Sequence, residues 1–123
     1  MYSIQKAAGL EIVADILETQ AILISNPHAE HTDLVERIKK RLDGYITATK
    51  YVMIVYNISE DLLEKSIQIA PGKRSPTVTS LDDGKSKSVS SLVLKKEVSD
   101  RMDELHDIGA TDILVLSLSN TRM

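Results

Sequence analysis

The run Tyr51-Val52-Met53-Ile54-Val55-Tyr56, closed by Asn57, limits what this chain can fold into more than any other stretch. Val52, Ile54 and Val55 are β-branched and both ends are aromatic, a mixture that suits a pleated sheet better than a short helix. As a strand, the run points Tyr51, Met53 and Val55 one way and Val52, Ile54 and Tyr56 the other. Both faces are then apolar. Such a strand belongs inside a sheet and needs cover on both sides.

The chain has 123 residues, of which 42% are hydrophobic and 27% charged, ordinary values for one soluble domain with an accessory segment. A net charge of -3 provides no global field for nucleic acid or an anionic membrane. The absence of cysteine excludes disulfide and thiol chemistry and fits a reducing compartment. No apolar run approaches the roughly 20 residues that span a bilayer, and no basic region followed by an apolar block opens the sequence. The expectation is a soluble, cytoplasmic protein.

Residues 7–17 read as a helix with Leu10, Val13, Ile16 and Leu17 on one face, followed by a strand at 21–24 that ends at Asn26-Pro27. Thr32 caps a second helix with Asp33 in its first turn and Leu34, Ile38, Leu42 and Tyr45 as its apolar stripe. This helix ends at Gly44 or runs to about Lys50. After the opening strand, Ser59 caps a helix with Glu60 and Asp61 at its positive end and Leu62, Leu63 and Ile67 on its buried side; Ala70-Pro71-Gly72 stops it. Residues 76–81 and 88–94 form a hairpin about Asp82-Asp83-Gly84-Lys85. Val98, Met102, Leu105 and Ile108 then mark a helix capped by Gly109, and 113–118 is the last strand.

From Tyr51 onward the order is βαββαβ, the split βαβ pattern of ferredoxin-like folds. The predicted class is α+β: an antiparallel sheet with two helices on one face, preceded by an N-terminal α-β-α segment. That arrangement leaves one apolar sheet face open, to be covered by the first 50 residues or by another copy of the chain. Association is the expectation.

Candidate chemistry is sparse. His28 and His31 stand with Glu30 and Asp33 in a segment whose ligand types suit zinc but whose spacing matches no closed structural site; an exposed loop is the expectation there. His106, near a helix C-terminus, reads as a surface residue favoured by the helix dipole. No catalytic triad order or carboxylate-pair motif stands out. An RNA-binding sheet needs aromatic stacking platforms, and the chain has no Phe or Trp. The most informative loop is Pro71-Gly72-Lys73-Arg74-Ser75-Pro76-Thr77-Val78. Its backbone, hydroxyls and cations suit a small anion or carboxylate. On spacing alone the favoured reading is a helix-stopping turn with exposed cations.

Several separated blocks, in order, resemble long-form ATP phosphoribosyltransferase. They are Ala8-Gly9-Leu10-Glu11-Ile12-Val13, the Pro-Gly-x-x-Ser-Pro-Thr-Val run at 71–78, Met102-Asp103-Glu104-Leu105, and Ile108-Gly109-Ala110-Thr111-Asp112-Ile113-Leu114-Val115. Ser119-Asn120-Thr121-Arg122 resembles the end of that family, with Thr121 where a cysteine is common. The resemblance implies the tail of a catalytic half and a connecting helix over 1–44, then a ferredoxin-like regulatory domain over 45–123. It further implies L-histidine as feedback effector and packing in threes within a hexamer. The reaction of the complete enzyme would join ATP to phosphoribosyl pyrophosphate with magnesium, in the first step of histidine biosynthesis.

A phosphate-cradling loop of Ser-Gly-Thr-Thr type is expected immediately before Ala-Gly-Leu-Glu, where this sequence has Met1-Tyr2-Ser3-Ile4-Gln5-Lys6. The expectation is therefore no catalytic residue, no metal site and no cofactor in this portion, and no catalysis by it alone. Similarity places Asn57, Ser75, Thr77, Leu92 and Asp112 near the histidine site. Ser75 and Thr77 would serve the carboxylate, Leu92 an apolar wall, and Asp112 the ammonium. Asn57 stands where the family can have aspartate, and relatives usually carry a tryptophan near Gly84–Lys87 that is absent here. Strand-end capping is the competing role for Asn57 and Asp112. The second functional reading is a free-standing ferredoxin-like small-molecule sensor or oligomerisation module without catalysis.

Overall fold

A computed structural model describes residues 9–10 and 13–122. The chain divides into two units, Met1–Glu30 and His31–Met123. In the first, the expected helix over 7–17 is not found at residues 9, 10 and 13–17, while 7, 8, 11 and 12 lie outside the described residues. The expected strand at 21–24 is not formed either. Val13 is 98% exposed and Ile22 79%, so the apolar pattern is not buried within this unit. A short helix without a docking surface is marginal in water, and a lone strand leaves its backbone groups unpaired.

The second unit begins with helix α1, Thr32–Lys50. Thr32 is its first residue rather than its cap, and His31 precedes it without a side-chain capping bond. The helix passes through Gly44 and runs to Lys50. Its predicted stripe is not buried: Leu34, Ile38, Leu42 and Tyr45 are between 44% and 60% exposed, whereas Gly44 and Ala48 are buried.

Strand β1, Tyr51–Ser59, follows directly and alternates strictly between buried and half-buried residues. A 3-10 turn, Glu60–Leu62, leads into α2, Leu63–Ile69. Ser59 precedes the turn without a side-chain capping bond, contrary to the sequence reading. Strand β2, Thr77–Ser80, and β3, Ser86–Leu94, form the hairpin. Its turn is closed by Asp83, whose Oδ1 accepts from the backbone of Lys85 at 2.9 Å and of Ser86 at 2.8 Å. A second 3-10 turn, Lys95–Glu97, precedes α3, Val98–Asp107. Helix α3 ends as the sequence requires: Ala110 N–H donates to Leu105 C=O at 3.0 Å and Gly109 N–H to His106 C=O at 2.9 Å. Strand β4, Thr111–Ser117, completes the sheet.

The sheet is antiparallel in the order β2-β3-β1-β4, so β1 is an inner strand, flanked by β3 and β4. This is the ferredoxin-like arrangement expected from the βαββαβ order. Val52, Ile54, Tyr56 and Ile58 enter the core with Val89 and Val93 of β3, Leu105 of α3 and the two alanines Ala70 and Ala110. Ser91 takes a core position on β3 where an apolar residue is usual; its hydroxyl donates to Ala70 C=O at 2.7 Å, so the buried group is satisfied. The other sheet face carries Tyr51, Met53 and Val55 beside Leu92 and Leu94, with Leu114 and Leu116 of β4 56% and 52% exposed. No helix among the described residues is long and apolar enough to cross a membrane.

Candidate functional site

Register places the site residues on the open face. Thr77 opposes Ser90, which opposes Val55; Thr79 opposes Ser88, which opposes Asn57; Leu92 opposes Met53. The face is therefore graded. Its lower part, toward Tyr51 and Leu94, is apolar, and its upper part toward β2 is a field of hydroxyls ending at the Asn57 amide.

Asn57 meets Asp112 through a break in the ladder. Val55 pairs with Leu114 but Asn57 pairs with Thr111, so β4 carries one residue more than β1 between these pairs. Asp112 lies in this bulge with φ +50, a left-handed conformation in which aspartate is tolerated far better than β-branched or bulky residues. The bulge turns its carboxylate toward β1, and Asn57 Nδ2 donates to Asp112 Oδ2 at 3.0 Å. The Thr111 hydroxyl lies 3.5 Å from the same oxygen. Asp112 also lines a cleft with Met102, Asp103, His106 and Ala110 at the end of α3. A carboxylate held by a bulge, with one oxygen engaged by an amide, can accept a hydrogen bond from an ammonium or a second amide.

Ser75 and Leu92 share a different cleft of about 360 Å³ with Lys73, Arg74 and Arg122. Ser75 Oγ donates to the neighbouring Arg74 C=O at 2.9 Å. The loop that carries these residues is fixed in place by Gly72. Its φ of +72 is left-handed, and a Cβ there would lie 2.8 Å from Ser91 Oγ, so the backbone approaches β3 as only glycine allows.

The five residues chosen from the sequence thus fall into two groups. Asn57 and Asp112 are hydrogen-bonded on the β1–β4 side, while Ser75, Thr77 and Leu92 lie on the β2–β3 side. Thr77 stands two strands from Asn57, about 10 Å across the sheet. What sequence reasoning missed is Arg122, brought beside the Lys73–Arg74 loop from the far end of the chain. The sequence pointed to Arg122 only as part of the block Ser119-Asn120-Thr121-Arg122, and to Gly44 only as a possible helix end. A Cβ at Gly44 would strike the carbonyl of Thr121 and the guanidinium of Arg122, so glycine there lets the tail lie against the helix.

Known proteins match this chain along most of its sequence. The chain is similar to ATP phosphoribosyltransferase of Yarrowia lipolytica, 46% identical over 118 residues, which cover 96% of this chain and 40% of that protein. The enzyme of the same name from Schizosaccharomyces pombe is 43% identical over 119 residues, covering 95% and 38%, and that from Saccharomyces cerevisiae 39% identical over 120, covering 96% and 40%. The chain spans about two fifths of the length of these relatives. A family model described as "HisG, C-terminal domain" matches residues 48–120, which hold the whole sheet, α2, α3 and all five candidate residues. On that match, which takes in well over half of its length, the chain belongs to the HisG C-terminal domain family.

Proposed function

We propose that residues 45–123 are the histidine-sensing regulatory domain of an ATP phosphoribosyltransferase, preceded over 1–44 by the tail of the catalytic half and a connecting helix. The complete enzyme would transfer phosphoribosyl from phosphoribosyl pyrophosphate to ATP in the cytoplasm, and L-histidine bound here would inhibit it. The observation that carries the reading is the Asn57–Asp112 pair. A bulge holds a non-glycine residue at φ +50 and thereby presents a carboxylate at the end of the inner strand, beside a face rich in hydroxyls. Asp112 accepts the effector's ammonium, Ser75 and Thr77 donate to its carboxylate, and Leu92 forms the apolar wall; because ammonium and carboxylate share one carbon while these two groups stand strands apart in one chain, they meet a single effector from neighbouring copies. Such a ligand, touched by both groups, spans the same face whose apolar residues pack copies of the chain into an oligomer. Effector binding and association therefore act on one surface.

Magnesium belongs to the complete enzyme in this reading. Among the described residues no three His, Cys, Asp or Glu side chains converge. A second reading, a free-standing ferredoxin-like sensor or oligomerisation module, draws on the core of the second unit, which is drawn entirely from residues 52–113.

Calorimetry with L-histidine tests the proposal. Millimolar or tighter binding, lost in Thr77→Ala, supports it, and no heat with any amino acid sinks it. Sedimentation with and without histidine tests the shared surface: a monomer at micromolar concentration in both cases removes the oligomer from the reading.

A further inference from the structure

Helix α1 joins the sheet without a linker: it ends at Lys50, and β1 begins at Tyr51. A helix tied to a strand at one end only can swing about that junction. Besides the tail, α1 meets β1 and the turn Lys95–Glu97, and its buried residues are Gly44 and Ala48, one turn apart. Leu34, Ile38, Leu42, Tyr45 and Ile46 lie 44–60% exposed, so these large side chains do not fix the direction of the helix. Of the two buried residues, Gly44 is the farther from the junction, and what meets it is the tail 118–122. A Cβ there would strike the Thr121 carbonyl, the Asn120 side chain and the Arg122 guanidinium, so the tail passes directly over the helix backbone. The tail is itself folded, with Arg122 Nη1 donating to Thr121 C=O at 2.7 Å and to the side chain of Asn120. Gly44 stands six residues before Lys50, which is about 9 Å along the helix axis. Attachment at two separated points defines a direction. The Lys50–Tyr51 peptide bond is one, and the strap of residues 118–122 is the other.

The strap continues β4, whose Ser117 opposes Val52 near the start of β1. The helix therefore grows from β1 and the strap from β4, and the direction of α1 depends on how those two strands sit against each other. The β1–β4 ladder is also the one whose register is interrupted, since Val55 pairs with Leu114 but Asn57 with Thr111. Asp112 occupies that bulge at φ +50, and Asn57 Nδ2 holds its carboxylate at 3.0 Å. The β1–β3 ladder, by contrast, is continuous from Tyr51 to Ser59. One interrupted ladder thus carries the Asn57–Asp112 pair at one end and the roots of both helix and strap at the other, about 17 Å away along the strand.

We propose that α1 is a lever held by the strap 118–122, and that its direction reports the state of the Asn57–Asp112 junction. While Asn57 holds Asp112, the bulge is set, the strap lies over Gly44 and the helix is locked. A ligand that binds Asp112 better once Asn57 has let go shifts the population toward the released state, in which β4 moves against β1 and the strap leaves the helix. The helix that leads back to residues 1–30 then carries the output of the sheet. The lever stands on this geometry alone; only its operation by L-histidine rests on the effector reading.

Hydrogen exchange on the whole chain, read over residues 43–50 with the β1–β3 ladder as internal reference, tests it. Alanine is the better helix former, so in a helix with nothing over its backbone Gly44→Ala slows exchange. The lever demands the opposite sign: exchange at 43–50 faster by about tenfold, with the reference unchanged. Arg122→Ala, which unclasps the strap without altering the helix, and Asn57→Ala, at the far end of the ladder, are expected to act in the same direction. Slower or unchanged exchange at 43–50 in Gly44→Ala, or unchanged exchange in Asn57→Ala, overturns the proposal. If Gly44→Ala loosens the reference equally, Arg122→Ala decides, and a rise there that the reference shares overturns a local lever. L-histidine is the ligand arm. It is expected to speed exchange at 43–50 in the wild type and to add nothing in Gly44→Ala, which keeps its calorimetric heat. Heat without a change at 43–50 in the wild type overturns the lever. Absence of heat overturns the effector reading instead, and the three variants still decide the lever.

Discussion

Replacing Tyr56 with phenylalanine should make this domain more stable, an outcome opposite to that of most core substitutions. Tyr56 is fully buried on the inner strand, and its hydroxyl has no hydrogen-bond partner. The nearby Ser66 hydroxyl donates its proton to Leu63 C=O at 2.7 Å, and its oxygen, close enough to influence the phenol, does not reach hydrogen-bonding geometry with it. An unpaired buried hydroxyl costs about 1–3 kcal/mol of desolvation, and deleting one oxygen leaves a void smaller than a methyl group. The expected gain in Tyr56→Phe is about 1 kcal/mol, or roughly 4–8 °C in Tm for a domain of this size. Burial raises the phenol above its ordinary pKa, and the Ser66 hydroxyl lowers it only in part. Below the ordinary value near 10 the folded and unfolded phenols both keep their proton, so the contribution is pH-independent. Above it the unfolded phenol ionises while the buried one does not. Wild-type stability then falls by about 1.4 kcal/mol per pH unit until the folded phenol also titrates. Urea denaturation of both proteins at pH 7 and across the alkaline range measures each quantity. A Tyr56→Phe protein that is less stable at pH 7, or that shares the wild-type alkaline slope, refutes the reasoning.

Two further substitutions probe packing. Gly72→Ala forces an L side chain to φ +72 at about 1–2 kcal/mol and pushes on the buried Ser91 hydroxyl, so chemical denaturation should show a loss of about 2–3 kcal/mol. Leu105→Ala removes the only fully buried residue of α3, and the same assay should show a loss of about 2–5 kcal/mol; a loss under 1 kcal/mol would mean that the helix does not anchor the core.

Sequence pattern was most informative where one residue type answers one physical demand. The unbroken apolar run at 51–56 specified a strand with two apolar faces, and the spacing of Val98, Met102, Leu105 and Ile108 with Gly109 specified α3 and its end. It misled where an apolar pattern lacks a surface to meet. Leu10, Val13, Ile16 and Leu17 have helical spacing, and Leu34, Ile38, Leu42 and Tyr45 repeat it in a helix that does form, yet both sets are exposed. Periodicity reports which side of an element is meant for burial, not what buries it. The candidate site was legible only in part for a different reason. Asn57 and Asp112 stand 55 positions apart, and their hydrogen bond depends on one extra residue in β4, which no local pattern announces. Arg122 reaches its cleft because a glycine in a helix 78 positions earlier lacks a side chain.

The alternation in β1 separates what holds the domain together from what it does. Val52, Ile54, Tyr56 and Ile58 are all buried against helices, so changes there are paid in stability. Tyr51, Met53, Val55 and Asn57 lie between them on the face shared by the apolar patch and the Asn57–Asp112 pair. Because successive residues point oppositely, a displacement of the strand along its axis moves both sets together, and a slip of one residue would exchange them. The bulge opposite Tyr56 relieves that constraint on one side only. It lets β4 bring Asp112 to Asn57 while the β1–β3 register stays continuous from Tyr51 to Ser59. The part of the sheet whose register can change without loss of the core is therefore the β1–β4 junction, and the part that keeps the fold is the β1–β3 ladder.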